Sequence, residues 1–481
     1  MINFRIIARV FSIIIIAEGF FMLLSSGVSF FYGERGSLFL SAIITIVSGI
    51  LVFTPLRNEE KLSGQKEGFV IVTGMWLIAS VFGTLPYLLS GTIRDFSSAF
   101  FESASGFTTT GVTVFDDPGI LPRGILLWRS LTQWMGGLGF IIISMSVLQV
   151  YKTVNVHLPI QDFTGQHAGD KIHPKTEEAV KRLISAYIVL TIVEAMLLFA
   201  GGMEAFDAVC HSLTTISTGG FSTHAAGISV YSSPVIIIIM TVFMFLSGTS
   251  MTFFYFMVKR NFDKIRKNEE LRFYLIACLG FVLLSSLVLW ITGKYPAGRA
   301  FLEGSFQAVS TLTTTGFYHA DFNQWGGVMI LLIFILMFTG GTSGSASSGL
   351  KIIRLLLVIR NARTEMKRMI HPNAFIPVRL DHKPVPGVII NNLLVFIILY
   401  IMMICLCSLV ISIMGYDLLT SFSTSSALLG NIGPSPGSFG PGASYASVPA
   451  SAKIFFSFIM MAGRVELFSL FVIFTSEFYR R

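Results

Sequence analysis

Long apolar runs, separated by short polar connections, extend along the whole chain. A transmembrane helix needs about 20 predominantly apolar residues, and ten segments reach that length. The strands of a membrane β-barrel would instead alternate apolar and polar residues over about 10 positions. The pattern therefore predicts an all-α polytopic membrane protein. The ten predicted spans are residues 6–28, 37–56, 69–90, 124–150, 180–201, 233–258, 271–292, 325–360, 387–414 and 451–478.

The composition agrees with a chain that lies mostly in lipid. Of its 481 residues, 53% are hydrophobic and 12% are charged, about half the charged fraction of a soluble domain. This excludes a soluble enzyme, a disulfide-rich secreted module and a disordered chain. We expect the first apolar run to be retained as a helix, because many spans follow it. We interpret the cysteines, which form no CxxC pair, as packed thiols rather than a metal or redox site. They are Cys210, Cys278, Cys405 and Cys407.

The basic residues predict the orientation in the membrane. If the N-terminus lies inside, 26 of the 34 Lys and Arg residues fall in inner connections and five in outer ones. Cytoplasmic loops carry such an excess of basic residues. The split predicts an even number of spans with both termini in the cytoplasm. It also explains the net charge of +8 without any nucleic-acid partner.

Four outer connections share one pattern, a short, weakly apolar helix followed by a run of Thr, Ser and Gly. One glycine in each connection recurs after 109, 96 and 117 residues, as expected for an internal repeat. Each connection joins two spans, so the four helix–pore loop–helix repeats have the same orientation and would surround a central pore. The predicted repeats are residues 61–150, 151–260, 261–370 and 371–481, preceded by a two-helix appendage at 1–60.

These connections suit a cation filter. Non-helical backbone at membrane depth must lie within protein or line water. Four re-entrant segments around an axis would present carbonyl oxygens that replace the water shell of a monovalent cation, and glycine reaches positive φ without strain. Thr/Gly clusters also pack helices together, but four similar segments on one side favour a filter. The candidate ligands are Thr110, Gly111, Gly219, Gly220, Thr315, Gly316, Ile432 and Gly433.

The segments Thr108–Thr113, Thr218–Ser222, Thr313–Phe317 and Asn431–Pro434 resemble the four filter strands of the Trk/Ktr/HKT potassium transporter superfamily. The TrkH-type branch fits best, because of the Asn-Ile-Gly-Pro fourth strand and the two extra N-terminal helices. Two further motifs agree with that branch, Gln133–Gly139 after the first filter and Gly463-Arg464 in the last helix.

The resemblance covers essentially the whole chain and implies a pseudo-tetrameric, channel-like K⁺ uptake subunit, which we expect to lie in the inner membrane. K⁺ would be the transported ion, with no other cofactor and no enzymatic activity. The family implies a homodimer and a cytosolic TrkA-like RCK regulatory protein that binds NAD or adenine nucleotides. We expect the basic stretches 151–180 and 361–386 to dock this regulator.

The fourth segment departs from the pattern of the other three. It reads Leu428-Leu429-Gly430-Asn431 and lacks a Thr-Thr pair, so we expect an asymmetric ring there. All four filter positions are nevertheless glycine. In the superfamily a serine at the first position accompanies Na⁺ selectivity, so the resemblance favours K⁺.

A run of small residues interrupts the eighth apolar segment. Such a break must lie beside protein or water, so we expect it below the filter, either as a gate loop, which the resemblance supports, or as a flexible kink. The gate would comprise Gly340, Gly341, Thr342, Ser343, Gly344, Ser345, Ala346, Ser347, Ser348 and Gly349.

Charged residues within the apolar runs should face protein or water. Arg464 is assigned to the gate, and Glu466 is excluded as its partner because side chains two apart on a helix diverge. Glu102 and Glu303 are candidate partners. We expect structural partners for Glu18 and Glu194. The outer aspartates either concentrate cations or cap loops. They are Asp95, Asp116, Asp117, Asp207, Asp321 and Asp417.

Two other functions are weighed against a channel. Residues 341–344 fit the GxSG pattern of rhomboid-type proteases, which need a histidine in a later membrane helix. The only later histidines, His371 and His382, lie in the basic cytosolic stretch, so the protease is rejected. A Na⁺- or H⁺-coupled K⁺ symporter remains open, because same-orientation repeats do not exclude ion coupling.

Overall fold

The computed structural model describes residues 2–34, 36–57, 65–152 and 175–480. Within them the chain is almost entirely helical, as its apolar runs predict. The first half contains α1 (Phe4–Phe31), α2 (Ser37–Phe53), α3 (Gln65–Phe82), α4 (Leu85–Ser90), α5 (Phe96–Phe107), α6 (Arg123–Lys152), α7 (Lys175–Ala200), α8 (Ala205–Ile216), α9 (Pro234–Ser247) and α10 (Met251–Val258). The second half contains α11 (Phe262–Lys267), α12 (Glu269–Ile291), α13 (Ala297–Leu312), α14 (Gly327–Leu336), α15 (Ile352–Ile370), α16 (Gly387–Ile413), α17 (Leu418–Gly430), α18 (Ala450–Val465), α19 (Leu467–Ile473) and α20 (Ser476–Tyr479).

A small antiparallel hairpin lies between α15 and α16. Its strands β1 (Arg379–Leu380) and β2 (Lys383–Pro384) pair Arg379 with Pro384 and Leu380 with Lys383. Asp381 and His382, at the turn, both have positive φ, which the short connection requires.

Six helical segments of the described chain are long and apolar enough to cross a membrane. Their outward faces carry exposed aliphatic side chains, as on α12, where Ile276, Leu279 and Leu283 are each about 60% exposed. Residues spaced by three or four share one helix face, and this face suits contact with lipid. The six segments are Phe4–Phe31, Ser37–Leu56, Lys66–Ser90, Val180–Ala200, Glu269–Ile291 and Gly387–Ile413.

Three predicted spans are broken where the sequence analysis expected continuous helices. In the third, α3 ends at Phe82 and α4 begins at Leu85. The sixth span stops at Ser247 and resumes at Met251, because its backbone bonds to another segment, described below. The tenth span bends by 110° between α18 and α19. Glu466 stands at that bend with a φ of +65°, a left-handed conformation that no helix interior contains. The expected break in the eighth span is present between α14 and α15.

Four short helices, α5, α8, α13 and α17, are buried among the long ones, and we call them the pore helices. They have 12, 12, 16 and 13 residues, too few to cross a bilayer. Asp95 and Asp417 cap the first and last, because their carboxylates accept hydrogen bonds from the backbone N–H groups of Ser98 and Thr420 at 2.8 and 3.4 Å.

Glycines let the inner halves of the long helices approach the ends of the pore helices. A Cβ atom added at Gly136 of α6 would collide with the carbonyl oxygen of Phe107, and one at Gly463 of α18 would collide with that of Leu429. At Gly248, after α9, it would meet Thr313. These close approaches bring each inner helix to the C-terminal end of a pore helix.

Candidate filter and intramembrane loop

Each pore helix ends in the same backbone conformation. A left-handed residue follows the helix, and a left-handed glycine follows two positions later. Alternation of left- and right-handed residues turns successive carbonyl groups toward the same side, which regular helix or strand does not do. The four pairs are Thr109 and Gly111 (φ 55° and 80°), Thr218 and Gly220 (54° and 79°), Thr314 and Gly316 (58° and 80°), and Asn431 and Gly433 (52° and 103°).

The left-handed threonines are an unusual feature of these segments. A β-branched residue with positive φ is a genuine outlier, and a strained backbone of this kind persists only where the surrounding structure enforces it. Thr109, Thr218 and Thr314 are each at most 1% exposed. The strain is thus held by packing, as at ligand-binding sites.

The four segments close into a ring whose order follows the chain. A Cβ atom at Gly111 would collide with the carbonyl oxygen of Gly219, and one at Gly220 with that of Thr315. In the same way, a Cβ atom at Gly316 would collide with the carbonyl oxygen of Ile432, and one at Gly433 would lie 2.8 Å from that of Thr110, which closes the ring. Each filter glycine therefore lies against a carbonyl group of the neighbouring segment, and that carbonyl belongs to the residue just before the neighbouring segment's own filter glycine. The eight candidate ligands named above are brought together in this ring.

The fourth segment differs in its side chains but keeps both left-handed positions. Asn431 takes the position of threonine and, among non-glycine residues, asparagine tolerates this conformation well. Its side-chain amide donates to the hydroxyl of Thr110 at 2.9 Å and to the carbonyl of Met460 at 2.8 Å. The amide thus links the first and fourth segments.

Gln133 supports the second segment from behind. Its side-chain amide donates to the carbonyl of Gly219 at 2.6 Å and accepts from the backbone N–H of Phe221 at 3.1 Å. The sequence analysis noted Gln133 as part of a motif and assigned it no contact. The sequence did contain a signal for such a contact, because Gln133 is a polar residue in an apolar helix, two or more turns from any polar loop.

Residues 340–349 form a non-helical loop that contacts the third segment and the break in the sixth span. The backbone N–H of Ser348 donates to the hydroxyl of Thr314 at 2.9 Å. The carbonyl of Gly248 accepts from the N–H of Thr342 at 2.9 Å, and the N–H of Met251 donates to Gly344 at 3.3 Å. These bonds to the loop explain why the sixth helix is interrupted.

Arg464 is 1% exposed and holds the loop from the opposite side. Its guanidinium donates to the carbonyl of Ala346 at 3.0 Å, to the hydroxyl of Ser348 at 2.5 Å and to the carbonyl of Gly136 at 3.2 Å. The ring of Phe140 lies 4.5 Å from the guanidinium carbon. Arg464 therefore connects the last inner helix to the loop and to α6.

The expected acidic partners of Arg464 are wrong. Glu102 pairs with Arg129 at 2.8 Å, and Glu303 pairs with His319 at 2.8 Å. Both carboxylates belong to the outer parts of the pore helices, whereas Arg464 contacts the loop. Glu466 pairs with Arg354 at 2.6 Å.

Two charged residues that sequence reasoning missed also hold the loop. The ammonium group of Lys351 donates to the carbonyl and, at 3.2 Å, the hydroxyl of Ser347. The carboxylate of Glu270 accepts from the backbone N–H of Ser343 at 2.6 Å. Both side chains are buried. The sequence analysis counted Lys351 only among the basic residues that predict orientation, and it assigned no role to Glu270.

The structural partners expected for Glu18 and Glu194 are not found in the described part of the chain. Both carboxylates are buried and have no hydrogen-bond partner within the described residues. The outer aspartates, by contrast, mostly cap local structure. Asp117 and Asp321 accept from the backbone N–H groups two residues further on at 2.9 and 3.0 Å.

All four cysteines are free thiols, and three of them are buried. In the described residues no group of three or more His, Cys, Asp and Glu side chains could hold a metal ion.

A basic groove lies on the side of the molecule that carries α15 and the hairpin. Arg360, Arg363, Lys367 and Arg379 line it, together with Phe375. The phenyl ring of Phe375 is 93% exposed. The other basic stretch predicted to dock a regulator, 151–180, lies largely outside the described residues.

Comparison with known proteins shows a single family. The family model TrkH, described as a cation transport protein, matches residues 37–480. The chain is 34% identical to the Trk system potassium uptake protein TrkH of Halomonas elongata over 91% of each chain. It is 33% identical to TrkH of Salmonella typhimurium, over 99% of this chain and 100% of that one. Its structure is similar to the crystal structure of the potassium transporter TrkH from Vibrio parahaemolyticus, with a TM-score of 0.90, 30% identity and complete coverage of both chains.

Proposed function

This chain belongs to the TrkH family of cation transport proteins, and we propose that its four glycine-centred segments form the filter through which K⁺ passes. The chain is a potassium uptake transporter of the Trk system, an integral membrane protein and not an enzyme. The proposal concerns how it moves the ion and how that movement is controlled.

The closed ring of segments is the observation that carries this proposal. The carbonyls of Thr110, Gly219, Thr315 and Ile432 each border the glycine of a neighbouring segment. Carbonyl rings replace the water shell of a monovalent cation. The pore helices end just before these residues, and the negative end of each helix dipole favours a cation there. The four repeats assigned above, at 61–150, 151–260, 261–370 and 371–481, each contribute one segment.

Reversal potentials of the protein in liposomes test the mechanism of transport. A channel follows the gradients of its permeant ions alone, so a pH gradient or a Na⁺ gradient should leave the K⁺ reversal potential almost unchanged. A symporter's potential would move with the coupled ion. A shift of the potential with pH or Na⁺ would therefore replace the channel by the coupled symporter.

The loop at 340–349 is proposed to be a gate. It bonds to Thr314 of the third segment, to Gly248 and, through Arg464, to α6 and α18. A segment bridging so many inner elements crosses the space that an ion leaving the filter must enter. Its opening would require the bonds to Arg464 to break.

The remaining proposals concern assembly. The protein is a homodimer in the inner membrane. Both termini of each chain lie in the cytoplasm. A cytosolic TrkA-like RCK protein that binds NAD or adenine nucleotides docks on the basic groove of Arg360, Arg363, Lys367 and Arg379. Co-purification from native membranes at low salt should yield this regulator, and reversing the charges of Arg363 and Lys367 should abolish its recovery. Recovery that is unchanged by the reversal would exclude this groove.

A further inference from the structure

We propose that Glu102, Asp207 and Glu303 are positioning residues for ion selection, each tying the outgoing part of a filter segment to its own pore helix. The outgoing part is the stretch that follows the filter glycine. This inference rests on the proposed filter and assigns a role to side chains outside the ring itself.

Glu102 of the first pore helix is fully buried. Its carboxylate accepts from the hydroxyl of Thr113 at 3.0 Å and from the backbone N–H of Val114 at 2.9 Å. The guanidinium of Arg129 completes the site at 2.8 Å. Thr113 and Val114 follow Gly111 by two and three residues, so the carboxylate fixes the chain as it leaves the ring.

Asp207 makes the equivalent tie in the second repeat. Its carboxylate accepts from the hydroxyl of Thr223 at 2.9 Å, from the imidazole of His224 at 2.9 Å and from the hydroxyl of Tyr231 at 2.6 Å. Thr223 and His224 follow Gly220 by three and four residues. The same stretch of the segment is thus anchored as in the first repeat.

Glu303 repeats the arrangement in the third pore helix. It is 1% exposed, and the imidazole of His319, three residues after Gly316, lies 2.8 Å from its carboxylate. Arg299 approaches the same carboxylate at 3.5 Å from the exposed side of the helix. His319 is therefore the link between Glu303 and the filter segment.

In the fourth repeat an uncharged residue makes the corresponding contact between the pore helix and the outgoing part of the segment. The hydroxyl of Thr420 accepts from the backbone N–H of Ser438 at 3.1 Å. Thr420 precedes Gly433 by 13 residues, and Asp207 and Glu303 precede Gly220 and Gly316 by the same number. The recurrence at one register in the second, third and fourth repeats indicates a common purpose rather than three unrelated contacts. Glu102 makes its contact from a different register, nine residues before Gly111.

The physical reason lies in the filter's need for fixed carbonyl spacing. Four carbonyl dipoles aimed at one axis repel one another when no ion is present, and a segment held only by its pore helix can spread. A tie on the outgoing side fixes the segment at both ends. A buried carboxylate is costly unless several donors satisfy it, so its use where a threonine suffices in the fourth repeat needs a function that outweighs that cost.

Glu303 offers the sharpest test, because a single side chain, that of His319, links it to the filter segment. In liposomes with K⁺ and Na⁺ on opposite sides, Glu303→Ala should reduce the K⁺/Na⁺ permeability ratio about three- to tenfold, which lies in the lower part of the range of coupling between contacting residues. Glu303→Gln keeps an acceptor for His319 and should restore most of the ratio. His319→Ala should match Glu303→Ala, and the double variant should be no worse than either.

Arg299→Gln is the matched control, since it alters the exposed neighbour of Glu303 and leaves the tie intact. A Glu303→Gln variant as unselective as Glu303→Ala would overturn the positioning role and assign the effect to charge. An unchanged ratio in folded Glu303→Ala would overturn the inference outright. A wild-type protein that fails to discriminate K⁺ from Na⁺ would instead contradict the proposed filter, so the two failures are distinguishable.

Discussion

The guanidinium of Arg464 donates a 2.5 Å hydrogen bond to the hydroxyl of Ser348, which lies 116 residues earlier in the chain. The backbone N–H of the same serine bonds to Thr314 in the third filter segment. One residue of the loop is therefore held between the last inner helix and the filter. If the loop blocks the ion path, as proposed, breaking this contact should open it.

Removing the guanidinium should open the barrier. Arg464→Ala, or deletion of part of 342–348, should raise basal K⁺ flux in liposomes without any regulator by about tenfold or more. Two unit charges 4 Å apart interact by about 4 kcal/mol at an effective dielectric of about 20, so a fixed guanidinium can exclude K⁺. Selectivity should change little, because the ring is untouched.

Arg94→Ala, which removes an exposed arginine outside the proposed filter and loop, serves as the control for Arg464. If the Arg464 variant and the deletion both fold and leak no more than wild type, residues 340–349 are a flexible kink and the barrier lies elsewhere.

Gly111→Ser and Gly316→Ser should let Na⁺ compete with K⁺. A serine at positive φ costs about 1–2 kcal/mol, and its Cβ atom would collide with the carbonyl of Gly219 or Ile432. Gly280→Ser, whose Cβ atom would meet nothing within 4 Å, is the matched control. The permeability ratio in liposomes is the measurement, and an unchanged ratio in both filter variants would refute the assigned ring.

Glu270→Ala should loosen the loop where it contacts the first turn of α12. The carboxylate holds the N–H of Ser343 at 2.6 Å, and loss of a hydrogen bond to a charged group costs about 1.5–3 kcal/mol. Ser343→Cys should therefore react severalfold faster with a charged thiol reagent when Glu270 is alanine. The measurement is made in a variant whose four native cysteines are replaced by serine or alanine, so that only the cysteine at position 343 reacts. Equal rates with and without Glu270 would show that this contact does not restrain the loop.

The pair of Asp207 and His224 should make stability depend on pH. The hydrogen bond to Asp207 raises the pKa of His224 above its usual value, although burial opposes this. The extra stability is present below the ordinary histidine pKa and is lost as the pH rises through the raised value. His224 is 35% exposed, so the effect should be no more than about 0.2–1 kcal/mol. The other titratable groups near His224 are His211, Tyr231, Asp117 and Glu204.

The measurement for His224 is the apparent melting temperature in detergent between pH 6 and pH 9. Wild type should be slightly more stable at the lower pH, and His224→Gln, which keeps a donor for Asp207, should lose that difference. A wild-type profile that matches the glutamine variant at every pH would contradict the contribution of the ion pair.

Local patterns were enough to predict much of this protein. Apolar runs of about 20 residues must become helices in lipid, because every backbone polar group needs an internal partner there. The recurring glycines at 111, 220, 316 and 433 marked positions that require positive φ, and the small residues at 340–349 marked a break. These properties depend on residues that are close together in the chain, so they can be predicted from the sequence.

Contacts between distant segments could not be read in the same way. The interruption after Ser247 depends on bonds to a loop almost a hundred residues away, and the bend at Glu466 accompanies its pairing with Arg354. Arg464 was correctly expected to face an interior, but its partners are carbonyl and hydroxyl groups rather than Glu102 or Glu303. The charge of a residue indicates that it needs partners, and only the packing of the helices selects which groups lie within hydrogen-bond distance.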